Sequence, residues 1–152
     1  MSFDSLLGGR QQKAFLLLGV LLALQIGWRT GQPAPAASAE SLAPPPTNAI
    51  LRAASLGEPV PLAGLLALRL QAFDNQPGIS TPYAQLDYAR LEAWLAALLQ
   101  LDPRADYPLL MASHLYAQVP DAAKQRAMLD FTQRAFLDDP DRRWRWLAHA
   151  AL

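Results

Sequence analysis

The sequence predicts an all-α protein: one N-terminal transmembrane helix, a Pro/Ala-rich linker, and a short array of antiparallel helical hairpins. Three observations carry this reading. Apolar residues make up 52% of the chain while prolines number 13, and the two kinds are segregated along it. An uncharged apolar run stands near the N-terminus, bracketed by Lys13 and Arg29. Downstream, apolar side chains recur at helical spacing, β-branched residues are scarce, and no stretch alternates with period two over the length of a strand.

Residues 1–13 form a short N-terminal segment expected on the cytoplasmic side. Residues 14–28, AFLLLGVLLALQIGW, are the expected membrane anchor. At about 1.5 Å per residue the run spans roughly 22 Å, short of the ~30 Å hydrocarbon core. Lys13 and Arg29 close the difference by snorkelling outward, and Trp28 suits the interface, so these three mark the membrane boundary. Arg10 and Lys13 precede the run and only Arg29 follows it before Arg52. This bias favours N-terminus in, and places the bulk of the chain on the periplasmic side of an inner membrane. A competing reading is a cleaved signal peptide with a small-x-small site at Ala37-Ser38-Ala39, which would release a soluble periplasmic protein. That site lies eleven residues past Trp28, with Arg29 and two prolines between.

Residues 29–47 hold five prolines, no aromatic residue and, after Arg29, the single charge of Glu40. Such a segment buries too little apolar surface to fold and reads as a disordered tether. In polyproline conformation, at about 3.1 Å per residue, it would hold the next domain up to roughly 50 Å from the bilayer.

Residues 48–152 are the expected helical domain. A short helix over residues 48–55 leads to PVPLAGLLALRLQAF, residues 59–73, whose leucines leave little polar face. That helix is expected to be the most covered of the domain or else to contact the membrane, being too short to span it. Next, Ala84, Tyr88, Leu91, Leu95 and Leu98 mark one face of a helix, with Pro82 at its first position, Ser80 or Thr81 as cap, and a stop before Pro103. A helix over residues 108–119, capped by Asp106, buries Leu109, Ala112, Tyr116 and Val119. Asp121 caps the following one, residues 122–137, which buries Met128, Phe131 and Ala135 and ends before Pro140.

LLQLDPRADYPLLMASHL aligns with AFLDDPDRRWRWLAHAAL at an offset of 37 residues. Asp102 meets Asp139, Pro103 meets Pro140, Tyr107 meets Trp144, Leu110 meets Leu147 and Leu115 meets Leu152. A helix stops at Asp-Pro, a turn follows, and a new helix begins whose early aromatic and two leucines face the preceding pair. One hairpin per period is the pattern of helical solenoids. The chain resembles the tetratricopeptide-repeat class, in which a helix often ends in Leu-Asp-Pro, as Leu101-Asp102-Pro103 does here. With its apolar run, Pro/Ala linker, LDPRADYPLL, VPD and RRWRWLAHAA, it is also similar to uncharacterised membrane-anchored helical-repeat proteins of proteobacteria. The resemblance covers residues 80–152 and implies a scaffold with no catalytic residues to carry over. In this register the sequence stops inside the first helix of a hairpin, so the domain is expected to be truncated at its C-terminal end, leaving Trp144, Trp146, Leu147 and Leu152 as candidate partner-binding residues.

Charge narrows the function classes. Lys plus Arg equals Asp plus Glu at 13 each, and the helical domain carries ten basic against eleven acidic residues. This is no footprint for nucleic acid. Arg142, Arg143 and Arg145 invite an anion-binding reading, but Asp138, Asp139 and Asp141 neutralise them locally, and Trp144 and Trp146 project about 200° apart on a helix. One tryptophan in the core with the arginines toward solvent is the simpler expectation. Cysteine is absent. His114 and His149 lack a second ligand at helical metal spacing and are expected at the core edge or surface. No phosphate loop, nucleophile elbow or framed carboxylate pair stands in the sequence, so no enzyme, cofactor, metal or small-molecule substrate is expected. The expected function is a membrane-tethered interaction scaffold with an envelope protein as partner and the bilayer engaged through residues 14–28. An accessory subunit of a glycan- or lipid-modifying membrane enzyme is the alternative.

Overall fold

The computed structural model describes residues 3–32 and 39–150, with side chains from Gln11 onward. The chain is mostly helical, 75% helix against 3% strand, and divides into two compact units, residues 1–36 and 37–152.

Among its described residues the first unit has one helix, α1 (Phe3–Thr30), 28 residues long. Within it Gln11–Thr30 is long and apolar enough to cross a membrane, and none of it is buried.

Of the free tether expected across residues 29–47, residues 33–38 lie outside the described residues, and from Glu40 onward the chain is an ordered strap on the second unit. Leu42 is part of the hydrophobic core. Arg90 donates to the Leu42 carbonyl at 2.7 Å, the Trp94 indole donates to the Ala43 carbonyl at 2.8 Å, and Glu40 exchanges two hydrogen bonds with the Gln76 amide. Proline makes this docking cheap: an extended segment that lacks donors and is stiff beforehand loses little entropy on binding.

Helices α2 (Asn48–Ala54) and α3 (Pro59–Gln71) follow. The Thr47 hydroxyl caps α2 by accepting from the Ile50 amide. Their turn places Leu56 and Gly57 at φ 51° and 93°, a left-handed path that suits the glycine and strains the leucine. A 3₁₀ turn continues α3, then a two-residue ladder of β1 (Asn75–Gln76) and β2 (Ile79–Ser80) reverses the chain. Pro77 and Gly78, at φ 80°, form the turn between them.

Helix α4 (Tyr88–Leu101) is the centre of the domain, packed by α2, α3, α5 and α6. Tyr88, Leu91, Leu95 and Leu98 are buried, as their spacing predicts. Its start differs from expectation. Asp87, not Ser80 or Thr81, caps the helix by accepting from the amides of Ala89 and Arg90, and Pro82 precedes a separate 3₁₀ turn. The cap wins because an aspartate in extended backbone satisfies two otherwise unpaired amides. The stop at Asp102 stands where Pro103 requires it.

Helix α5 (Tyr107–Leu110) passes into a π turn, Met111–Leu115, and a 3₁₀ turn, Tyr116–Gln118. The expected core residues Leu109, Ala112, Tyr116 and Val119 are all buried. Regularity is lost where Ser113 donates back to the Leu109 carbonyl at 2.8 Å, a side-chain bond that loosens the ladder. Asp121 caps α6 (Ala122–Asp138) as expected. Pro140 begins α7 (Pro140–Ala150), which packs on α6 and on the π turn.

Helix α3 is not the most covered helix. Ala63, Ala67 and Leu70 face inward while Leu65 and Leu68 stand 66% and 57% exposed; small alanines at the contact let α3 sit close against α4 but leave the large leucines outside.

Candidate functional site

The expected membrane-boundary residues lie on α1, where Lys13 and Arg29 are exposed and Trp28 is 74% exposed. Between them Phe15, Leu16, Leu17, Leu18, Val20, Leu21, Leu22, Leu24 and Ile26 are all exposed. An apolar surface on every side of a helix has no partner within its own unit.

The second candidate is α7. Trp144 is 63% exposed, Trp146 and Leu147 are half-buried, and Leu152 lies outside the described residues. Helix phase explains the division: 200° separates positions 144 and 146, so one faces solvent when the other packs on the core. The Trp146 ring joins the core edge, and its indole donates to Asp106 at 2.9 Å. Arg145 pairs with the same carboxylate and lies over the Trp146 ring at 5.2 Å. Burial alone would raise the pKa of Asp106, but the hydrogen bonds from Arg145 and Trp146 and the charge of Arg145 outweigh it, holding the group below its ordinary value.

The arginines are not all on the solvent side. Arg143 is buried and donates to the carbonyls of Ala135 at 2.8 Å and Pro103 at 3.1 Å, joining the ends of α6 and α4. Arg142 pairs with Asp139, whose pKa this hydrogen bond lowers. Each of the three guanidinium groups thus has an acceptor inside the protein, and the cluster serves as a clamp for α7 rather than an open anion cradle.

Repeat positions correspond only in part. Asp102 and Asp139 both end helices in non-helical conformation before a proline. Three residues then separate Pro103 from the start of α5 at Tyr107, whereas α7 starts at Pro140 itself. Tyr107 is half-buried and its counterpart Trp144 is exposed; the inward aromatic is Trp146, aligned with buried Leu109.

His114 and His149 are exposed and lie near each other with tilted rings, centres 5.2 Å apart, with Trp146 5.8 Å from His149. Among the described residues no three metal-ligating side chains come together. Protein-family models, curated proteins and solved structures offer no match to the chain.

Two features escape a sequence reading. A cleft of about 580 Å³ is lined by Glu92, Leu99, Phe131, Arg134, Leu137 and Arg143, from α4, α6 and α7. The other is the face of α3 that carries Leu65 and Leu68. Its leucines are visible in the sequence, but which of them the alanine contact leaves outside depends on tertiary packing.

Proposed function

We propose that this chain is a membrane-tethered helical-repeat scaffold of a bacterial envelope, inserted N-terminus in through residues 14–28, with a tetratricopeptide-like domain that binds a protein partner and performs no chemistry of its own. The observation that carries the reading is α1: Gln11–Thr30 is apolar, long enough to span and wholly uncovered. Lipid is the solvent that such a helix fits, since a spanning helix satisfies its own backbone. The interaction role draws on the outward side of α7 and the cleft beside it. Leu137 lines the cleft and is exposed, Trp144 stands exposed on α7, and large aromatic anchors are typical centres of a protein interface.

The test is in two parts. Alkaline extraction of membranes should leave the intact chain, N-terminus included, in the pellet; a mature form beginning near residue 40 and released to the supernatant would favour the secreted alternative. A photocrosslinking residue at position 144 should then capture a discrete partner from whole membranes, and one at Gln133 should not. Equal capture from both positions, or turnover of a glycan or lipid by the purified chain, would refute the scaffold.

A further inference from the structure

We infer that the α2–α3 hairpin is a second membrane contact: the outward face of α3 and the tip of the hairpin lie in the lipid headgroup and upper acyl region of the bilayer that α1 spans. The inference rests on reading α1 as a span.

Among the described residues of the helical unit, seven large apolar side chains are exposed, and five of them belong to this hairpin: Ile50, Leu56, Val60, Leu65 and Leu68. At 100° per residue, Val60, Pro61, Gly64, Leu65 and Leu68 occupy an arc of about 140° on α3. Every residue from Val60 to Leu68 is apolar, so the arc offers no side-chain hydrogen bond to a protein surface. Arg52 and Arg69 flank it at the ends of α2 and α3, and the hairpin's acidic residue, Glu58, stands before the arc begins. At the tip Leu56, in left-handed conformation, is 92% exposed. An apolar face bordered by cations is the composition of a helix lying in a membrane interface. Neither helix can span: α3 has 13 residues.

Chain length selects lipid over other occupants. Because the strap is tied to the domain from Glu40 onward, only the nine residues 31–39 join it to α1. Their contour is about 30 Å at ~3.3 Å per residue, well under the 50 Å that a free linker would allow. The hairpin is the first element after the strap, so the bilayer is present at a high effective concentration that no diffusing partner matches.

The chain has no cysteine, which makes single-site labelling clean. Leu21→Cys, Leu56→Cys, Leu65→Cys and Gln133→Cys, each carrying an environment-sensitive fluorophore, would be reconstituted as full chains in phosphatidylcholine vesicles. Quenching is then read from nitroxide-bearing lipid and from a water-soluble collider. Positions 21, 56 and 65 should lose most of their emission to nitroxide lipid and resist the aqueous quencher, with position 133 the reverse. Aqueous quenching at 56 and 65 with lipid quenching at 21 would overturn the hairpin contact and leave the span intact. Protection of 56 and 65 from both quenchers, with crosslinking between chains, would assign the face to a second copy instead. Aqueous quenching at position 21 would remove the span and the inference together. Helical circular dichroism of each labelled chain identifies any variant that has not folded; since 56 and 65 are exposed sites on separate elements, either alone decides the outcome.

Discussion

Tyr88 and Tyr116 show how single polar atoms fix the interior. The Tyr88 hydroxyl donates to the Tyr116 carbonyl at 2.8 Å in the buried core, and Lys124 lies over the Tyr88 ring at 5.2 Å while donating to the carbonyls of Ala84 and Leu86. Tyr88→Phe leaves that carbonyl without its donor and should cost about 1–2 kcal/mol, read from urea unfolding of the detergent-solubilised chain. Burial, with Asp121 nearby, pushes the Tyr88 phenol up to about 12. Since this pKa is raised above its unfolded value, the contribution to stability is full below about pH 10 and is lost as pH rises through 12. An unfolding transition in that alkaline range should therefore weaken in Tyr88→Phe. Asp106 has the opposite sign. Its lowered pKa means that docking of α7 is supported above the ordinary carboxylate range and released as pH falls through the depressed value; a change in tryptophan emission on acidification, absent in Asp106→Asn, checks it.

At the scale of elements, burial positions were legible where spacing is regular. The 3-4-3 spacing of Tyr88, Leu91, Leu95 and Leu98 is a local property of the sequence and survives folding. Boundaries were less so: Ser80 or Thr81 with Pro82 reads as the start, whereas Pro82 leads into a 3₁₀ turn and the cap is Asp87. Angular separation requires Trp144 and Trp146 to face opposite ways, but the repeat register turns Trp144 inward, whereas Trp146 is the one that packs on the core, beside Arg143, which reaches Pro103 40 residues away in sequence. The cap residues give a direct test. Asp87→Ala and Asp121→Ala each strip two amides of their acceptor and should cost about 1 kcal/mol, whereas Leu91→Ala in the centre of α4 should cost about 2–5 kcal/mol, all measured by thermal or urea unfolding.

For the molecule as a whole, the division into an apolar helix and a helical domain is written in composition, because proline and aliphatic residues separate so sharply along the chain. The strap was hidden for the same reason. Its composition is that of a linker, and only the pairing of Arg90 and Trp94 with consecutive carbonyls makes it part of the domain. Trp94→Phe keeps the ring and removes its donor; it should speed protease cleavage between residues 39 and 47 several-fold while leaving helix content unchanged.

The strap also defines a force path. Any pull on the chain N-terminal to it reaches the bonds between Glu40 and Gln76 first, then the Leu42 and Ala43 carbonyls, before it reaches a helix of the domain. Bonds met singly or in pairs, in succession, release step by step. The domain would then gain slack in small steps, like a shock absorber, and keep its helices while the strap unzips.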